Sequence, residues 1–301
     1  MTSTSGEIKR VALVGAGVMG VGIVDVVAMA GFDVVWLRGS DRPPAEALAR
    51  LTADHTKRVA RGKLADDAAQ AARARIAPSA DVAAVATCDL VIETIAEDLA
   101  QKRALLARLA AHAAPHAIFA SNTSTLKIDE LARGIRPTRM AALHFFSPVP
   151  AMALVEVATL AATDADVAPA LLAFVHALGK TPVPVADATG FIVNRLLVPY
   201  LLSAMVALQS GLASAPQIDT AMRLGCGHPL GPLALADLIG LDIVASMADL
   251  LHAEFKHPSY EAPAVLRALV AAGLLGRKSG GGFYVGDAPN PRLAELLAAA
   301  R

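Results

Sequence analysis

His144 and Glu156 stand twelve residues apart in AALHFFSPVPAMALVEV, residues 141–157. Two apolar runs, each interrupted by one ionisable residue, flank a turn-rich Ser-Pro-Val-Pro. A strand, a tight connection and an antiparallel return account for that spacing and bring the two side chains together. A carboxylate on one nitrogen of an imidazole leaves the other nitrogen to accept a proton and favours the charged ring, which is what a general base requires. The same pattern fits a core histidine satisfied by a backbone carbonyl, with the glutamate on a solvated face. The stretch alone leaves both readings open.

A second constellation opens the chain. Gly15-Ala16-Gly17-Val18-Met19-Gly20 follows the β-branched run 11–14 and precedes an apolar helix expected over 23–30. Strand, glycine turn and helix form the context that a dinucleotide-binding GxGxxG needs. Gly15 permits the turn, Gly17 lets backbone approach a pyrophosphate, and Gly20 lets the helix pack on the strand. The helix N-terminus attracts the phosphates. The next strand is expected over 33–37. An NAD site places an acid at its end, but here stand Arg38 and then Gly39, Ser40, Asp41 and Arg42. Arginine cannot accept from ribose hydroxyls and can pair with a 2′-phosphate, with Ser40 as a further donor, so the pattern favours NADP. The alternative is an exposed loop arginine, with Asp41 serving NAD.

Those residues need an open α/β sheet to gather them. Further strands are expected at 89–94, bringing Glu93, Glu97 and Lys102 to the carboxyl edge where ligands collect, and at 117–120, followed by Ser121-Asn122-Thr123-Ser124. That cluster either faces the same edge or caps the next helix. Residues 44–76 read as helical and carry His55, Lys57, Arg58, Arg61 and Lys63, a solvated basic face or a contact for the phosphates of a long substrate. A proline-flanked edge strand at 180–186 closes the sheet. A breaker at 187–190 then leads into apolar helices, with Asn194 in the first turn. The expected architecture is an α/β Rossmann-type dinucleotide-binding domain, residues 1–187, followed by an all-α domain, residues 188–301.

Composition removes other classes. Lys plus Arg and Asp plus Glu are both 27, so charge suggests neither nucleic acid nor an acidic membrane surface as partner. No apolar run reaches the roughly 18 residues of a spanning helix. The apolar surplus, 55% of the residues, points to an oligomer. Cys88 and Cys226 make neither a disulfide framework nor a metal pattern, and His228, His252 and His257 lack ligand-spaced partners. With no apolar signal core at the N-terminus, the expected location is the cytoplasm.

GAGVMGVG, IETIAED with Lys102, SNTS, LHFFSPVPAM, LVEV, GFIVNR, GCGHPLGP and GLLGRKSGGGFY occur in this order over nearly the whole chain. The set resembles the short-chain L-3-hydroxyacyl-CoA dehydrogenase family, most of all its bacterial 3-hydroxybutyryl-CoA dehydrogenases. The resemblance implies a Rossmann-type domain, a helical domain that forms a homodimer, and NAD(P)-dependent interconversion of an (S)-3-hydroxyacyl-CoA and a 3-ketoacyl-CoA in fatty acid metabolism. It implies that His144 is the catalytic base and Glu156 its orienting carboxylate. Ser124 and Asn194 would bond the substrate oxygen, and Glu97, Lys102 and Lys278 the cofactor, with Asn122 beside them. Arg61 falls in the region that meets CoA. Arg38, Ser147 and Ala153 depart from the family pattern, which has an acid, an asparagine and a lysine there. Room therefore remains for the same chemistry on a carrier-protein thioester or a free hydroxy acid. A nucleotide-binding protein without turnover is a third reading, weakened because Ser124, His144, Glu156 and Asn194 are all present.

Overall fold

The small and β-branched residues of β1 (Arg10–Val14) pair in parallel with β2 (Asp33–Leu37), Val11 opposite Val34 and Val14 opposite Leu37. This is seen in a computed structural model that describes residues 7–39 and 44–299. Those residues form two units, the first ending at Phe191 and the second beginning at Ile192.

In the first unit, α1 (Val18–Met29) starts inside the glycine motif, earlier than expected. The helix expected over 44–76 is two helices and a strand: α2 (Pro44–Ala60), α3 (Asp66–Ala74) and β3 (Ile76–Ser79). Gly62, at φ +65°, breaks the helical run. The strand Ile-Ala-Pro-Ser has no alternation to announce it. It exists because Ile76 pairs with Val34 at the sheet edge, where Pro78 is tolerated. Next come β4 (Leu90–Glu93), α4 (Leu99–Ala110), β5 (Ile118–Ser121), α5 (Ile128–Ala132), β6 (Met140–Phe145), β7 (Leu154–Thr159), α6 (Val167–Ala177) and β8 (Thr181–Ala186).

The eight strands lie in the order β3-β2-β1-β4-β5-β6-β7-β8. The first six run parallel in the doubly wound 3-2-1-4-5-6 order. β7 returns antiparallel to β6, and β8 is the proline-containing edge, parallel to β7. Alternation divides the core between two faces. Val11 and Leu13 pack with Ile23 and Val27 of α1 and Phe174 of α6, whereas Ala12 and Val14 pack with Leu106 of α4 and Leu131 of α5.

The second unit holds α7 (Val193–Gln209), α8 (Ala215–Cys226), α9 (Pro232–Ile239), α10 (Leu241–Phe255), α11 (Ala264–Ala271) and α12 (Leu293–Ala299). They close on Leu201, Met205, Val244, Leu266 and Phe283. One departure from an all-helical domain is a hairpin of two-residue strands, β9 (Tyr284–Val285) and β10 (Ala288–Pro289). Two buried carboxylates explain the glycine motifs here. Asp219 accepts from the Leu233 and Ala234 amides at 2.8 and 2.9 Å and so caps α9. Asp237 accepts from the amides of Phe283 and Tyr284, each at 2.9 Å. A Cβ on Gly231 would collide with Asp219, and one on Gly282 with Asp237. His228 is held by the Tyr200 hydroxyl, 2.9 Å from Nδ1. No helix among the described residues is long and apolar enough to cross a membrane.

Candidate active site

The turn after β1 is built to keep side chains out. Gly15 sits at φ +126°, and a Cβ there would lie 2.4 Å from Thr94 Oγ1. Its carbonyl accepts from the indole Nε1 of the buried Trp36 at 2.8 Å, and its amide donates to Leu37 at 3.2 Å. A Cβ on Gly20 would lie 2.4 Å from the Gly15 carbonyl oxygen, so helix and strand could not approach as they do. A Cβ on Gly17 meets nothing within 4 Å. Gly17 is the N-cap of α1 and supplies no capping side chain. The space beside the start of α1 at Gly17 is thus open, which fits a nucleotide diphosphate.

At the same carboxyl edge, β6 and β7 pair with His144 opposite Glu156. The side chains meet, His144 Nδ1 to Glu156 Oε2 being 2.7 Å. Both are buried, with side chains 7% and 1% exposed. The carboxylate fixes Nδ1 as the donor and leaves Nε2 as the working atom. The Phe146 and Phe191 rings pack on the imidazole at 4.4 and 5.7 Å between centroids, fixing its plane and excluding water. His144 is thus paired with a buried carboxylate rather than satisfied by a backbone carbonyl, and Glu156 is not on a solvated face.

The Ser121–Ser124 cluster also lies at this edge, and it does not cap α5, whose N-cap is Lys127. It is wrapped around Glu97. One oxygen of Glu97 accepts from Thr123 Oγ1 at 2.6 Å, from the Ser124 and Thr125 amides at 2.9 and 3.1 Å, and from Thr125 Oγ1 at 3.0 Å. Lys102 stands behind it, 1% exposed, with Nζ 2.8 Å from Glu93 Oε1 and 3.3 Å from Glu97 Oε2. Burial pushes the Glu97 carboxyl up, but the Lys102 ammonium and the surrounding donors outweigh it and hold it below the usual carboxylate range. Ser121 Oγ donates to Glu93 at 2.7 Å, and the Asn122 side-chain Oδ1 accepts from the Phe145 amide at 2.9 Å. Asn122 thereby ties the end of the histidine strand to the serine loop.

Arg38 follows β2 directly, exposed at the same edge, and Ser40 lies outside the described residues. The basic cluster on α2 is divided. His55 and Arg58 are held by the buried Asp25 of α1, at 2.7 and 2.9 Å, which removes them as ligands for substrate phosphate. Lys57, Arg61 and Lys63 remain exposed. Asn194 lies in the first turn of α7, buried, and belongs to the second unit. So does Lys278, whose Nζ pairs with Asp242 Oδ2 at 2.6 Å. The glycine-rich segment that carries Lys278 is anchored within its own unit where the Phe283 amide donates to Asp237. No group of three or more His, Cys, Asp or Glu placed to hold a metal occurs among the described residues.

Three further residues act as positioning groups: Thr123 belongs to the Ser121–Ser124 cluster, and Thr125 and Lys180 carry no signal in the sequence. Thr123 and Thr125 bind Glu97 only through tertiary placement. Lys180, before β8, reaches the carbonyls of Val149 and Met152 at 2.6 and 2.7 Å and pins the loop between His144 and Glu156. The same loop seats Val149 on Gly22, where a Cβ would be 2.8 Å from the valine.

Residues 10–188 match the family model "3-hydroxyacyl-CoA dehydrogenase, NAD binding domain", and residues 190–286 match "3-hydroxyacyl-CoA dehydrogenase, C-terminal domain". The chain is 42% identical over 286 residues to the mitochondrial hydroxyacyl-coenzyme A dehydrogenase of Homo sapiens, covering 92% of this chain and 91% of that protein. It is 40% identical to the probable 3-hydroxybutyryl-CoA dehydrogenase of Bacillus subtilis, covering 92% and 97%. Among solved structures, the (S)-3-hydroxybutyryl-CoA dehydrogenase of Ralstonia eutropha superposes with a TM-score of 0.89 at 39% identity, over 93% of this chain and 99% of that one.

Proposed function

The chain belongs to the 3-hydroxyacyl-CoA dehydrogenase family, and from that premise we propose that it interconverts short-chain (S)-3-hydroxyacyl-CoA, such as 3-hydroxybutyryl-CoA, and 3-ketoacyl-CoA. The observation that carries the proposal is the His144–Glu156 pair, 2.7 Å apart at the sheet edge that also bears the glycine turn. A bound nicotinamide nucleotide supplies the acceptor or donor of the hydride at the substrate carbon.

The chain's residues handle the proton and the charge. His144 Nε2 takes the proton of the 3-hydroxyl in oxidation and returns it in reduction. Glu156 keeps Nδ1–H in place and stabilises the imidazolium. Ser124, held through its backbone by Glu97, and Asn194 donate to the substrate oxygen as charge develops. Gly15, Gly17 and Gly20 cradle the diphosphate. Asn122, Glu97 and Lys278 line the nucleotide, and Lys102 acts through Glu97. Arg38, with Ser40, favours a 2′-phosphate and hence NADP. Arg61 is assigned to the phosphates of the CoA carrier. Residues 1–187 serve the nucleotide, and residues 188–301 serve the acyl group and a homodimer, the latter supported by Leu196, Leu212 and Leu224, exposed at 68%, 78% and 79%. Cys88 and Cys226 are both free, as a reducing cytoplasm favours.

Spectrophotometry with acetoacetyl-CoA and either NADH or NADPH tests the reading. Oxidation of one nucleotide is expected and should depend on His144. Oxidation of neither overturns it.

A further inference from the structure

The nucleotide edge holds a second cation that its sequence context does not announce. Arg50 lies on α2, away from every motif, yet its Nη2 donates to the Ala16 carbonyl at 3.3 Å. Ala16 is the residue between the first two glycines of the turn. Arg38 stands beside the same turn along the backbone, exposed. Leu37, its neighbour, accepts from the Gly15 amide, and a Cβ on Gly39 would lie 3.0 Å from Gly15 Cα. The turn is thus flanked by arginines from two elements, at the place where the family carries an acid.

We propose that Arg50 is a second nucleotide-selecting arginine, acting with Arg38 on a phosphate at the adenosine ribose. The proposal rests on the reading of Arg38 as a phosphate ligand and deepens it. Three observations support it. Among the described residues Arg50 is exposed, and the hydrogen bond it makes goes to a carbonyl rather than to a carboxylate. The Ala16 contact uses one of the five N–H groups of the guanidinium and leaves a fork for a bidentate anion. The contact also sets the position of the charge, since it anchors the guanidinium to the backbone of the turn and spares part of the entropy of ordering a long side chain. A 2′-phosphate carries nearly two negative charges at neutral pH. Two guanidinium groups balance them, whereas a ribose hydroxyl gives them nothing to neutralise.

Calorimetric titration of the full chain with adenosine 2′,5′-bisphosphate and with 5′-AMP separates the possibilities without turnover. The wild type should bind the bisphosphate more tightly, with the steeper salt dependence. Arg50→Gln, which removes the charge and keeps an amide donor on a shorter stem, and Arg50→Ala should each weaken the bisphosphate about tenfold, the size of one charge-assisted hydrogen bond, and leave 5′-AMP unchanged. If both variants weaken the two ligands equally while Arg38→Ala weakens only the bisphosphate, Arg50 merely braces the turn, and the inference fails although the reading of Arg38 stands. If the wild type binds both ligands equally well, both fail.

Discussion

Replacing Glu156 with glutamine isolates the charge of the orienting carboxylate, because shape and burial are nearly kept. The carboxylate is 1% exposed and 2.7 Å from His144 Nδ1, so water cannot take over its role. When the ring accepts the substrate proton it becomes a cation, and a charge-assisted hydrogen bond to Glu156 is worth about 1.5–3 kcal/mol. At roughly 1.4 kcal/mol per factor of ten, this alone costs about ten- to 150-fold. The amide adds a second loss. If its NH2 group turns to Nδ1, the ring proton moves to Nε2, and the working atom can no longer accept. The corresponding amide substitution in the serine protease triad costs about 10⁴-fold for this reason. Glu156→Gln is therefore expected to lower kcat by roughly 10²–10⁴, with KM little changed and thermal unfolding within a few degrees of wild type. Steady-state nucleotide oxidation with acetoacetyl-CoA measures it. The His144→Gln/Glu156→Gln double variant should be little worse than His144→Gln alone, since the residues act as a unit. A kcat within tenfold of wild type, or losses that multiply in the double variant, would refute the assignment.

Glu97, held below the usual carboxylate range, should impose an acid limit on stability. The unfolded chain takes up this proton first as pH falls, so the contribution is complete at neutral pH and is lost from about pH 5 downward. Urea midpoints across that range should fall less steeply for Glu97→Gln, whose kcat/KM should also drop as the Ser124 loop loosens. Lys180→Met leaves the Val149 and Met152 carbonyls without their ammonium and should cost about 2–4 kcal/mol, with faster amide exchange confined to the loop between β6 and β7. Unchanged exchange there would remove Lys180 from that role. Burial pushes the Cys88 thiol up to about 11, while Cys226 is exposed. A neutral thiol reagent should thus modify Cys226 alone in the native protein, and both only on unfolding.

Several features are decided by local chemistry and so stand in the sequence. The glycine turn is one, because Gly15 at positive φ and Gly20 against the Gly15 carbonyl tolerate no side chain. The pairing of His144 with Glu156 is another, since apolar alternation and a short connection fix the antiparallel register once both strands are buried. Pro182 and Pro184 mark β8 as an edge for the same local reason. β3 is invisible beforehand, as four residues with an internal proline become a strand only when Val34 and its neighbours offer a partner.

The basic residues show the division most clearly. In sequence His55, Arg58 and Arg61 are one cluster, and Arg50 is an unremarked helix residue. In the fold Asp25, on another helix, consumes the first two and leaves Arg61 exposed, while Arg50 is drawn to the Ala16 carbonyl. Likewise Lys102 becomes a buried prop for Glu97 because Glu93 holds its ammonium while Thr123 and Thr125 hold the Glu97 carboxylate. A hydrogen bond between distant segments depends on where tertiary packing sets the backbones, and a pattern of residue types records only which groups could donate. The sequence by itself determined the fold class and offered the pairing of His144 with Glu156 as one of two readings. Only the tertiary structure decided which charges are spent within the protein and which lie exposed beside the nucleotide turn.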